Sequence, residues 1–250
     1  MNILHITNGD ALENLLQKTS IKGPRIVCRE CLMDGPSTPT INDAFWELRE
    51  KFISENYPEQ EGNYYKLVVS EITSLNRVDK GTEINLWFEN DLFCQSNYWF
   101  IITYLHDLGL DDNLYRVFPF RDQSMSKWKT FGKASEKELM SALSNREKFT
   151  NADVDLGIKL WKAYASKDSI SLVELSRQSS QVFSCLQEII QANIDRFPEQ
   201  DNPGRPEKTL QAIYNSGLIS FSDVFKEFSR REEIYGYGDT QVKNLIKQLK

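Results

Sequence analysis

Three apolar runs in the first hundred residues end on clusters of polar and ionisable side chains. "LHITNGDAL", residues 4–12, closes the first run with His5, Asn8, Gly9 and Asp10. "RECLMD", residues 29–34, closes the second with Arg29, Glu30 and Asp34. "LWFENDLFCQ", residues 86–95, closes the third with Glu89, Asn90 and Asp91, and Gln95 follows one helical turn later. Carboxylates gathered this way can move protons or hold a divalent cation such as magnesium. Free backbone N–H groups at a helix start beside Asn8 and Gly9 would suit an anion, with Arg29 as its cation. The expected catalytic residues are therefore Asp10, Glu89 and Asp91, as metal ligands or a general base. The expected ligand-binding residues are His5, Asn8, Gly9, Arg29, Glu30 and Gln95. No residue is assigned as a definite metal ligand.

Each of these residues also has an ordinary structural role open to it. Asp10 and Asp91 can cap the helices that follow them. Gly9 can relieve a turn, and Arg29 and Glu30 can form a surface ion pair. His5 alternates with Leu4 and Ile6, which suits a hydrogen-bonded core histidine. Convergence of the three clusters in space is what separates the two accounts.

The elements that would bring them together are strands alternating with helices. Strands are expected at residues 2–7, 25–29, 82–88 and around 117. Helices are expected at 11–18, with Leu12, Leu15 and Leu16 inward, at 42–56 and from 92 to about 107. Residues 64–75 fit a helix with Tyr65, Val68, Ile72 and Leu75 on one stripe, although "KLVVS" alone would suit a strand. Such alternation gives a parallel sheet with right-handed crossovers, and ligands of open parallel sheets sit at the carboxyl ends of the strands. The pattern predicts a Rossmann-like α/β domain over residues 1–130.

Residues 135–250 read as all helical. Val154, Ile158, Trp161 and Ala165 form one stripe, and Val182, Leu186, Ile189, Ile190 and Phe197 another. "PEQDNPGRPE", from Pro198, is a linker-like break, and Pro206 suits a first helical turn. Residues 203–250 then suggest a winged-helix-like unit with a wing at 235–238. Its last helix, capped by Asp239 or Thr240, carries a basic stripe of Lys243, Lys247 and Lys250. That stripe could meet nucleic-acid phosphates, yet acidic residues nearly balance basic ones here, and a solvated helix face is the favoured account.

Several classes are set aside. The net charge of −6 argues against a chain-wide nucleic-acid surface. The most apolar run, residues 98–105, is far shorter than the roughly 20 residues of a membrane span. The chain starts on strand-like residues without a basic leader, and its four cysteines are scattered, so a cytoplasmic protein is expected. No G-x-G-x-x-G or G-x-x-x-x-G-K-[ST] follows the first strand. "GDAL" is similar to the Gly-Asp-Ser-Leu block of some esterases, but alanine stands at position 11 and that nucleophile is absent. "CREC", Cys28 to Cys31, lacks the second ligand pair of a structural zinc site, and two buried small residues are the expected reading.

The same residues carry a family resemblance. His5, Asn8, Gly9 and Asp10 match an opening H-x-x-N-G-D; Arg29, Glu30, Gly35 and Pro36 match an R-E followed by G-P; Leu86 to Gln95 match L-W-F-E-x-D-L-[FY]-x-Q. In these blocks the chain resembles a bacterial family of uncharacterised proteins, domain of unknown function 1835. "RFPEQDNPGRPEKTLQAI" and "YGYGDTQVKNL" look like the C-terminal region that accompanies that domain. Many relatives have serine where Ala11 stands and histidine where Asn90 stands, so a mechanism using either is not carried over. The resemblance implies that the strand-end residues act together but supplies no reaction. The leading expectation is a small anionic or phosphate-bearing ligand at the strand ends, with metal-assisted hydrolysis or group transfer as the chemistry. The competing one is a regulatory or adaptor protein that contacts nucleic acid or another protein through its C-terminal unit.

Overall fold

The computed structural model describes residues 2–57, 62–119, 127–200 and 202–249. Its first half runs β1 (Ile3–Asn8), α1 (Asp10–Leu16), β2 (Arg25–Cys28) and α2 (Asp43–Asn56). A helical segment centred on α3 (Ser70–Thr73) leads to β3 (Glu83–Trp87), α4 (Leu92–Asp107) and β4 (Leu114–Val117). The second half holds α5 (Glu136–Ser144), β5 (Glu147–Lys148), α6 (Asn151–Ala165), α7 (Ser169–Ser176) and α8 (Leu186–Asp195). It ends with α9 (Arg205–Asn215), α10 (Phe221–Arg231) and α11 (Asp239–Gln248). Residues 120–126, shortly before the expected domain end at 130, together with Asp201 and with Lys250 of the expected basic stripe, lie outside the described residues.

The sheet order is β2-β1-β3-β4-β5, parallel except for β5. The fold is thus α/β with a largely parallel sheet followed by a helical C-terminal region. Pleat alternation sends Leu4, Ile6, Ile84, Leu86 and Leu114 to one face, where α2, α4, α6 and α8 cover them in one continuous core. The other face carries His5, Trp87 and Val117 under α1 and α5. All five residues of β3 are buried, the polar Glu83 and Asn85 included, as a central strand covered on both faces requires. From Cys94 to Leu105 α4 is buried all round, because the sheet lies on one side and α6 on the other. Gly157 permits that closeness: a Cβ there would press on Ile102 Cγ2 at 2.9 Å.

Five expectations are corrected. The 64–75 segment is helical but uneven, with a π turn at Tyr65–Val69 and a 3-10 turn at Ser74–Arg77. The extra residue of the π turn rotates the face, so Tyr64 is buried and Tyr65 is exposed. β5 was missed because two residues at a sheet edge carry no readable period. Phe197 lies beyond α8 and is 51% exposed instead of joining its stripe. The expected wing is absent among the described residues: Glu233–Tyr235 is a 3-10 turn that ends on Gly236 at φ 64. Helices α9 to α11 instead close around their own small core of Leu210, Ile213, Val224, Phe228 and Val242. On α11 Lys243 is held by Asp239 at 2.7 Å, and the helix is capped from Gly238, not from Asp239 or Thr240. Among the described residues no helix is long and apolar enough to cross a membrane.

Candidate functional site

In this strand order the chain leaves β1 toward β2 on one side and β3 toward β4 on the other. In open sheets of this order the ligand position lies between the carboxyl ends of β1 and β3, where their following connections diverge. Asn8 ends β1 there, and Glu89, Asn90 and Asp91 follow β3. Asp91 caps α4 as expected, its Oδ1 accepting from the Cys94 N–H at 2.9 Å.

The cap places three donor side chains together. Single ligand atoms of Glu89, Asp91 and Cys94 all lie within 4.8 Å of one another. Glu89 accepts from the Phe131 N–H through Oε1, and Cys94 Sγ approaches its Oε2 at 3.5 Å. Asn8 donates from Nδ2 to Cys94 Sγ at 3.0 Å, and its Oδ1 is fixed by Asn97 Nδ2 at 2.8 Å. Gln95 donates to the Glu89 carbonyl at 2.7 Å, which leaves its buried Oε1 without a partner. No lysine or arginine among the described residues forms an ion pair with Glu89 or Asp91.

Two adjoining carboxylates, one buried and one nearly so, with no ion pair among the described residues, oppose each other's ionisation. Burial first, and the neighbouring Asp91 charge second, push the Glu89 carboxyl up to about 7. Asp91 is raised by burial, and burial with the adjoining carboxylates lifts the Cys94 thiol well above its ordinary value. A cleft of about 530 Å³ lies alongside, lined by Trp128, Thr130, Phe228, Gly236 and Tyr237. Gly236 fits against the Asp91 carboxylate so closely that an added Cβ would overlap it.

Arg116 holds this loop from below. Its fully buried guanidinium donates to the Phe88 and Glu89 carbonyls at 3.3 Å, to Asn90 Oδ1 at 2.8 Å and to the Val182 carbonyl at 2.6 Å. Asn90 is engaged on both ends, since its Nδ2 donates to the Lys127 carbonyl at 2.8 Å. It therefore shapes the loop.

Asn8, Glu89, Asp91 and Gln95 thus converge as expected, and the other candidates do not join them. His5 lies mid-strand on the opposite face. Trp87 Nε1 can only donate, so His5 Nδ1 accepts from it at 3.1 Å and Nε2–H donates to the Lys22 carbonyl at 3.1 Å. Burial lowers its pKa, and both ring nitrogens are engaged in the core. Gly9, at φ 85, is the N-cap of α1 in place of Asp10, and its N–H donates to the Cys28 carbonyl at 2.9 Å. Asp10 stands one residue later and turns to Arg29, which grips it through Nε at 3.0 Å and Nη2 at 2.8 Å. Arg29 also donates to the Leu67 carbonyl at 3.1 Å and lies 3.6 Å from Glu71, so the expected cation is already surrounded by acceptors.

Glu30 does not pair with Arg29. It is buried against Arg49 of α2, with Nη2 to Oε2 at 2.9 Å, and also accepts from the Tyr64 hydroxyl and the Cys31 N–H. Arg49 further donates to the Cys31, Asp34 and Pro36 carbonyls, so this pair braces the loop after β2. Cys28 and Cys31 are buried free thiols, each pushed up to about 12 by burial.

Cys94, Asn97, Arg49 and Arg116 were the functional and bracing residues that sequence reasoning passed over. Arg49 had a signal, because it falls on the buried stripe of α2 four residues after Phe45 and four before Ile53. Cys94 had one too, three residues after a predicted cap. No protein-family model and no curated protein matches the chain.

Proposed function

We propose that Glu89, Asp91 and Cys94 hold a divalent cation at the β1/β3 crevice, and that the protein performs metal-assisted hydrolysis or group transfer on a small anionic or phosphate-bearing ligand. The observation that carries this reading is the largely buried cluster of two carboxylates and one sulfur, to which no lysine or arginine among the described residues is ion-paired. A bound cation would relieve both carboxylates and the thiolate at once. Two oxygens and a sulfur suit a borderline ion such as zinc better than magnesium, which takes oxygen ligands. Three protein ligands also leave a position for water or substrate, the arrangement of catalytic rather than structural zinc sites. Asn8, oriented by Asn97, supports the sulfur from outside, as second contacts to metal ligands do.

In that role Asp91 and Cys94 are fixed by the start of α4, while Glu89 is the least buried of the three. With its carboxyl raised by burial, Glu89 gives up a proton when the cation binds. An anionic ligand would meet the cation here instead of Arg29. Membership of the domain of unknown function 1835 family is part of the same proposal and rests on the three motif blocks alone. Among the described residues no observation favours the nucleic-acid or adaptor reading.

The test is equilibrium binding of Zn²⁺, Mn²⁺ and Mg²⁺ to chelator-stripped protein, followed by a thermal-shift panel of phosphorylated metabolites with and without the ion. One equivalent of zinc, lost in Cys94→Ser and Glu89→Gln, supports the reading. An absence of cation binding, or binding indifferent to both variants, overturns it.

A further inference from the structure

A second cleft, of about 560 Å³, lies between the loop after β2, the end of α6, the start of α7 and the end of α8. Its polar lining is only half satisfied. Arg196 donates from Nη1 to the Met33 carbonyl and from Nη2 to the Tyr164 hydroxyl at 3.4 Å, and its buried Nε has no partner. Lys167 makes no ion pair among the described residues, and its backbone is held at φ 56. Asn193 is 7% exposed, and its Oδ1 has no hydrogen-bond partner. Unmade bonds of buried polar groups are costly, and in a cleft wall they point to a ligand that completes them.

The remaining lining decides the ligand's chemistry. Leu172, Ile194 and the half-exposed Phe197 offer an apolar bed. Asp34 and Glu199 also line the cleft, and Asp34 Oδ2 is occupied by the Tyr57 hydroxyl and Cys31 Sγ. Two carboxylates beside two cations disfavour a phosphate dianion and leave room for a single negative charge.

We propose that this cleft binds a small amphiphilic carboxylic acid that also carries an amide N–H, as an N-acylated amino acid does. The carboxylate is taken by Arg196 and Lys167, the amide N–H donates to Asn193 Oδ1, and the apolar side chain lies on Leu172, Ile194 and Phe197. The cleft shares no residue with the Glu89, Asp91 and Cys94 cluster. A polar chain joins their surroundings: Asn97, which orients Asn8, also accepts from the Leu32 N–H at 3.2 Å, and the Leu32 carbonyl accepts from Tyr164 at 3.1 Å.

N-acetyl-L-leucine is the probe, titrated calorimetrically into metal-free full-length protein, so the outcome does not depend on the cation reading. Saturable binding is expected, weakened about tenfold or more for uncharged N-acetyl-leucinamide and for 4-methylpentanoate, which lacks the N–H. Inorganic phosphate should not compete. Arg196→Gln should abolish binding. Because Arg196 also ties Met33 to Tyr164, Lys167→Gly is the second variant: glycine accepts that backbone conformation, so binding should weaken with the melting temperature unchanged. No saturable binding by about 10 mM, equal binding of acid and amide, competition by phosphate, or full affinity in Lys167→Gly would each overturn the assignment.

Discussion

Replacing Glu89 by glutamine should make the metal-free protein more stable above neutrality. The Glu89 carboxyl titrates at about 7 in the fold against an ordinary value of 4.5, because burial and Asp91 oppose its charge. Between those two values the folded state keeps a proton that the unfolded chain has released, so folding stability falls as pH rises through that window and levels off above it. At about 1.4 kcal/mol per pH unit the loss attributable to this group amounts to about 3 kcal/mol. Glutamine at 89 keeps an oxygen for the Phe131 N–H and cannot ionise. Urea unfolding in EDTA should give wild type and Glu89→Gln nearly equal at about pH 5 and separate them by up to about 3 kcal/mol at about pH 8, with the variant ahead. Zinc should then restore the wild type at high pH and leave the variant unmoved. Parallel pH curves for the two proteins would refute the account of a strained carboxylate.

Three further perturbations bear on the framework. Arg49→Met leaves Glu30 buried without its cation and should cost about 3–5 kcal/mol in urea unfolding, while Arg49→Met with Glu30→Gln should recover most of it; additive losses would show that the pair does not work as a unit. Gly236→Ala should lower the melting temperature well beyond Gly217→Ala: both have positive φ, but only Gly236 meets Asp91, whereas Gly217 faces open space. Equal shifts would mean that the turn does not seat against the cluster. His5 should remain a neutral Nε2–H tautomer by NMR below its ordinary pKa of 6.5, and stability should fall as pH drops through that value, because only the unfolded chain takes the proton. An ordinary titration of His5 would contradict the core assignment.

The α/β order was legible because each strand carries a run of apolar residues closed by polar ones, and this alternation needs no tertiary information. The convergence of Asn8 with Glu89 and Asp91 was legible for the same reason, since parallel strands bring their carboxyl ends to one edge. Partners were not legible. Arg29 and Glu30 are adjacent in sequence, yet β2 ends between two layers and sends one out to Asp10 and the other in to Arg49. His5 was drawn to the site by its position near Asn8, but pleat alternation places it on the far face beside Trp87. Cys94 lay inside a helix whose apolar composition masked it, and only the cap geometry of Asp91 turns its sulfur to the carboxylates. The wing failed on composition: Gly236 and Gly238 mark a turn, and only pairing would have made it a hairpin.

The most direct measurement is calorimetric titration of zinc into chelator-stripped wild-type protein in buffers of differing ionisation enthalpy. The account predicts one ion per chain, with protons released because Cys94 and Glu89 must both give theirs up. Binding should be lost in Cys94→Ser and in Glu89→Gln. Absence of stoichiometric binding, or one equivalent bound without proton release and unaffected by either variant, would contradict the claim that this cluster is a cation site.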